Sequence, residues 1–214
     1  NRILNDPNFR RTRENMQEFG AAAVIGRSFR IAFSGISKEV SSRGIAGRVT
    51  GTMKRLNRAG TGNRGERSFE VLPNRQMLEG FEFQPKLPFR SVFYAPGEAP
   101  VLDVNRSVIT WTVPDFNTQN YIKIPNGATH ARLVLHAAVL SDFVFDRAEQ
   151  TFGFLHPAEN ELNRTVYGAE FPLTGMVGAA TVLTADLGLS AALPDTAGVL
   201  IGTGILFYQQ INGL

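Results

Sequence analysis

The sequence predicts an α+β protein in which an N-terminal αα-hairpin precedes an antiparallel β-sandwich of jelly-roll type. Three observations predict it. Apolar residues recur at helical intervals as far as Leu56. From about Ser68 the period falls to two, in short runs separated by Pro, Gly, Asn and Asp. Sixteen Phe against one Trp suit a packed core with few polar handles. The 214 residues then divide into a basic helical arm, 1–66, and a β-sandwich body, 67–214.

The elements follow in order. The opening residues have no apolar h-region, so no signal peptide lies in this stretch. Asp6-Pro7 fits a helix N-cap followed by proline at the first helical position, where the missing N–H costs nothing. The first helix carries its stripe on Phe9, Met16, Phe19, Ala23, Gly26, Phe29, Phe33 and Ile36, with Arg13, Arg27, Arg30 and Lys38 largely off it. Gly20, Gly26 and Gly35 each weaken a helix by about 1 kcal/mol, which points to close packing or to a break near Gly35. Ser41 or Ser42 caps a second helix striped by Ile45, Val49, Thr52, Met53 and Leu56. Strands are expected at 68–72, 77–83, 91–95, 107–113, 120–124, 130–140, 142–146, 151–155, 165–173, 180–189 and 199–211. The runs 142–146 and 151–155, with alternating Phe, read as a hairpin. The sequence stops after a strand-like run and an Asn-Gly turn, so a further pairing strand is expected and the body lacks native terminal strands. No apolar run is long enough to span a membrane; the longest candidate, 175–193, is interrupted by Asp186.

Charge divides the chain as sharply as periodicity does. Net charge is +3, but residues 1–75 carry 15 basic and 6 acidic side chains, and residues 76–214 carry 7 and 13. Arg outnumbers Lys 18 to 4. Arg sheds hydration more readily than Lys and grips carboxylates or phosphates bidentately, so an Arg-dominated segment seeks an anionic partner. The contact candidates are Arg10, Arg11, Arg13, Arg27, Arg30, Arg43, Arg48, Lys54, Arg55 and Arg58.

Catalytic and metal motifs are weak. The absence of cysteine excludes disulfides, thiolate zinc sites and cysteine nucleophiles. Gly60-Thr-Gly-Asn-Arg-Gly65 matches a dinucleotide pattern, but a helix precedes it and a strand follows, the reverse of the order that brings phosphate to a helix N-terminus; it reads as a flexible link. His130 and His136 fall on one strand face about 20 Å apart, too far to share an ion, and read as surface or half-buried residues. Asp142 and Asp146 share a face about 13 Å apart and read as a solvated strand face. No G-x-S-x-G occurs. No catalytic, cofactor or metal residue is assigned, and the protein reads as non-enzymatic.

The opening Asn5-Asp-Pro-Asn-Phe-Arg-Arg-Thr-Arg-Glu-Asn-Met-Gln-Glu-Phe-Gly20 resembles that of a family of uncharacterised bacterial hypothetical proteins. Segments 62–67, 78–83, 125–130 and 207–213 are similar to it as well, so the resemblance spans most of the chain. It implies a longer native chain, with a strand-rich N-terminal extension and one more strand after the Asn-Gly turn. No activity comes with it.

The expected function is a structural subunit that self-assembles with like chains into a surface filament, sheath or shell, which favours the cell surface or extracellular space. Arg-rich arms would meet acidic bodies, and strands would pair between neighbours. The alternatives are a nucleic-acid-binding protein using the basic hairpin, and a carbohydrate-binding sandwich using Trp111.

Overall fold

Asp6 accepts a hydrogen bond from the Asn8 N–H at 2.9 Å, and Pro7 opens a 3-10 turn, Pro7–Phe9, that runs straight into helix α1, Arg10–Ala32. The computed structural model describes residues 6–40 and 42–211. Helix α1 breaks at Phe33, and a short helix α2, Ser34–Val40, follows. Helix α3, Ile45–Ala59, starts from Gly44, whose φ of 82° lies in the left-handed region that glycine adopts without strain. A serine cap was the expectation for this helix. Ser41 lies outside the described residues, and Ser42 instead donates to the Phe83 carbonyl and accepts from Arg48.

The first helical stripe is only half realised. Gly26, Phe29, Phe33 and Ile36 are buried, whereas Met16, Phe19 and Ala23 face out. Apolar residues surround α1, so spacing alone does not select the inner face; packing does. Ala21, Ala22 and Ile25 complete that face against Val49, Met53 and Leu56 of α3. A Cβ at Gly26 would stand 3.5 Å from Val49, so the absence of a side chain lets the two helices approach closely.

Strand β3, His130–Ser141, is the axis of the body. Its side chains alternate between two cores. Ala131, Leu133, Leu135, Ala137 and Val139 enter one, and Val134, Ala138 and Leu140 enter the other with the helices. Strand β9, Ala197–Tyr208, pairs with β3 along twelve residues. On the other side β3 pairs with β6, Asn163–Tyr167, and then with β7, Phe171–Pro172. A second antiparallel sheet holds β1 (Val101–Leu102), β2 (Val108–Val113) and β8 (Thr181–Asp186), in that order. Ile109, Trp111, Val113, Leu183 and Ala185 from this sheet share the first core with β3. Strands β4, Phe143–Asp146, and β5, Thr151–Phe154, form the expected Phe hairpin. Its turn is closed by Asp146, which accepts from the Ala148 and Glu149 N–H groups.

The architecture is thus α+β with antiparallel sheets, and the helices lie on the central sheet of their own chain. Each large buried aliphatic side chain contributes about 1.5–3 kcal/mol to that packing.

Five expected strands are corrected. Residues 68–72 reduce to one bridge, Phe69 to Phe143, because Pro73 ends the run without a donor. Residues 77–83 and 91–95 are turns and 3-10 segments, the first broken at Gly80 and the two separated by Pro85 and Pro88, with a single bridge from Phe93 to Ile122. Residues 120–124 overlap a short helix α4, Thr118–Tyr121, capped by the Asn117 side chain, which accepts from the Gln119 N–H. The run 165–173 divides at Gly168 into β6 and β7.

Candidate assembly interface

The two sides of β3 differ in what lies beyond them. Val139 donates to Leu162 and accepts from Glu161, and Leu133 accepts from Gly168, so odd-numbered β3 residues turn their backbone groups toward the β6 side. Even-numbered residues therefore bond β9, with His136 opposite Gly202. On β9 the same alternation leaves Val199, Ile201, Thr203, Ile205 and Phe207 with their N–H and C=O groups turned outward. Among the described residues, no strand pairs with this outer edge.

The edge is about 40 Å long by strand rise. Between Ala197 and Tyr208 there is no Lys, Arg, Asp, Glu or Pro. Charge, proline and interruption are the devices that keep sheet edges from recruiting other strands, and β9 has none of them. Its glycines serve close approach. A Cβ at Gly202 would stand 3.3 Å from Phe33, and at Gly198 2.6 Å from Val71. The strand packs on the helical layer, and among the described residues no strand pairs along its rim.

The ten candidate cations separate into two groups. Arg10 and Arg11 both pair with Glu14, at 2.9 and 3.2 Å. Arg13 donates to the Asp6 carbonyl and Arg55 to the Thr52 hydroxyl. Arg48 is a structural pin: it donates to the Glu82 and Phe83 carbonyls and to Ser42, and stacks over Phe81 at 5.3 Å. Arg27, Arg43, Lys54 and Arg58 are exposed and Arg30 is half-buried, and none of these five makes an ion pair among the described residues. The structure thus does not gather all ten into one anion-binding surface.

The segment 60–65, expected to be a flexible link, is tied down. The Gly65 N–H donates to Glu18 at 2.9 Å, and Arg67 grips the same carboxylate through two bonds of 2.7 Å. Burial works against the Glu18 charge, but Arg67 and the Gly65 N–H outweigh it and hold the carboxyl below its usual range.

Sequence reasoning also misplaced two ionisable groups, His136 and Asp142. His136 is fully buried rather than at the surface: Nε2 lies 2.9 Å from the Ala32 carbonyl and Nδ1 2.8 Å from the Thr165 hydroxyl. The carbonyl can only accept, so Nε2 carries the proton and Nδ1 accepts. Burial pushes this imidazole down to about 4, against the opposing pull of Ala32. Asp142 is buried rather than solvated, and accepts from the Val71 N–H at 2.8 Å. Burial pushes its carboxyl up to about 6, against the lowering effect of Val71. His156 is half-buried in a loop, with Nε2 2.6 Å from the Thr196 hydroxyl. Among the described residues no cluster of three His, Asp or Glu side chains could hold a metal ion. Trp111 is 5% exposed, packed on Phe89 and Phe93, so it offers no platform to a sugar. No helix among the described residues is long and apolar enough to cross a membrane.

The chain matches no family model, no curated protein and no solved structure.

Proposed function

We propose that this protein is a non-enzymatic structural subunit that self-assembles with like chains into a filament, sheath or shell. The outer edge of β9, unpaired among the described residues, carries the reading. Five outward N–H groups and five outward carbonyls, on an apolar strand without charge or proline, favour pairing with a strand from a neighbouring copy. The two sheets that share one core fit a β-sandwich, which is the kind of rigid body such pairing extends. Charge supports the same reading: Arg27, Arg30 and Arg43 belong to the helical layer, whereas the exposed carboxylate of Asp186 belongs to the sheet on the far side of β3. Head-to-tail contact between these layers propagates into a filament or sheath where its rotation does not close into a ring.

Thr203→Pro is the decisive variant. Thr203 turns its N–H outward, so proline removes an outward donor and leaves the ladder to β3 intact. Light scattering and negative-stain microscopy of the natural protein at near-physiological salt should show assemblies that Thr203→Pro reduces to single subunits. Single subunits at every concentration of the natural protein reject the proposal.

The nucleic-acid alternative draws on the exposed Arg27, Arg43, Lys54 and Arg58. A shift assay at about 50 mM salt, where phosphate contacts are strong, separates it from assembly.

A further inference from the structure

A cleft of about 570 Å³ opens between the N-terminal half of α1, the C-terminal half of α3 and the 60–67 loop. Lys54, Arg58, Arg64 and Arg67 line it, with Glu18 as the lining carboxylate. Arg67 is committed to Glu18 by its two short bonds. Three cations therefore face the cleft in excess. Arg64 is oriented there by Asn15, whose Oδ1 accepts from Nη2 at 2.7 Å; Glu14 stands 3.9 Å from its Nε and is already bonded by Arg10 and Arg11. Arg58 makes no ion pair among the described residues. The carbonyl end of α3 offsets about half a unit charge, which leaves most of the excess in place.

Like charges gathered in a concave site repel, and an anion relieves that repulsion. Two guanidinium forks and an ammonium suit the several oxygens and double charge of a phosphate better than a single carboxylate. The Asn15 amide N–H groups and the Thr12 hydroxyl line the same cleft as neutral donors. The rim is apolar: Phe19 is 55% exposed and Met16 62% exposed. A volume of this size exceeds what a bare phosphate fills and falls in the range of small-molecule sites. The Lys54 ammonium lies over the Phe19 ring, 5.3 Å from its centroid, so the cation and the half-exposed ring stand side by side, and a ring beside a phosphate grip is the arrangement on which a nucleobase stacks.

We propose that this cleft binds a nucleoside phosphate, with Lys54, Arg58 and Arg64 on the phosphate and Phe19 under the base. The ligand is a free nucleotide or a unit of a single strand, which share this chemistry. The site does not depend on the β9 edge and stands or falls separately from assembly.

Calorimetry on the full chain at about 50 mM salt tests it, with inorganic phosphate, adenosine monophosphate and a ten-residue oligodeoxythymidylate as probes. The expected result is saturable binding of the nucleotide, tighter than phosphate, and weakened at least tenfold in the double variant Arg58→Ala with Arg64→Ala. Phe19→Ala should weaken the nucleotide and leave phosphate unchanged. Arg43→Ala, an exposed arginine that does not line the cleft, should change nothing. Oligonucleotide binding more than tenfold tighter than the nucleotide, with a steeper salt dependence, identifies a strand as the source; equal affinities identify the free nucleotide. Absence of saturable binding to all three probes overturns the proposal. So does equal weakening by Arg43→Ala, which would mark the binding as diffuse surface charge.

Discussion

The two edge strands beside β3 solve the same problem in opposite ways. On one side, Asn163–Tyr167 and Phe171–Pro172 are short, are separated by a break at Gly168, and include Arg164 and Pro172, with Glu170 at the break. A Cβ at Gly168 would stand 3.4 Å from Thr181 and 3.5 Å from Leu183, so the chain there lies against β8. On the other side, β9 runs twelve residues without interruption or charge. Both edges are anchored to the helical layer. Arg132 of β3 stacks between Tyr167 and Tyr208, 4.3 and 5.1 Å from their rings, and the Tyr167 hydroxyl reaches Glu39 of α2. The difference therefore lies in the rims and not in the packing: one rim carries charge, proline and a break, and the other carries none of these and pairs with no strand among the described residues.

The largest effect should come from striking the strand that both edges share. Leu135 is fully buried and pairs with Val166 on one side and Thr203 on the other. Leu135→Ala should lower stability by about 2–5 kcal/mol in urea unfolding. A loss confined to one edge, seen as hydrogen exchange in β6 or β9 alone, would show that the two edges fold as separate units.

A second test uses acidity. His136 on β3 has a depressed folded value, so the unfolded chain binds the extra proton, and the stability His136 contributes above about pH 6.5 is lost as pH falls toward 4. Asp142, just beyond β3, has a raised folded value. The folded chain then binds the extra proton between the ordinary aspartate range and about 6, so its contribution grows as pH falls through that window. The two slopes oppose. The natural protein should show a shallow profile between pH 4 and 6, and Asp142→Asn should expose the steeper acid loss due to His136, on the order of 1–3 kcal/mol. Thermal unfolding at several pH values measures it, and an unchanged profile in the variant removes Asp142 from the account.

The smallest effect should come from stripping the protected rim. Arg164→Thr with Glu170→Thr alters two exposed side chains, so stability should move by no more than about 0.5 kcal/mol each. Light scattering should show no new assembly, because the break at Gly168 still interrupts that edge. New oligomers would locate the protection in the charges instead.

Much of this comparison was legible in the sequence. The Asp6-Pro7 start, the α3 face of Val49, Met53 and Leu56, the Phe hairpin and the long strand over 130–140 follow from spacing, because each buries one face and the period shows which. The candidate cations were legible only as charge. Arg48 was indistinguishable in sequence from Arg43, yet one is bonded to two carbonyls and the other is exposed. Gly65 and Arg67 gave no signal of closing on Glu18, since that contact joins residues 49 apart.

The sequence by itself determined the class of the protein, the order of helical and extended segments and the separation of charge, because periodicity, turn chemistry and composition are local properties. Tertiary structure alone decided which side of α1 is buried, that His136 and Asp142 lie in the interior, and that β9 is the last strand of its sheet among the described residues. Those outcomes depend on which distant segment arrives beside each residue, and an amphipathic period carries no record of its partner.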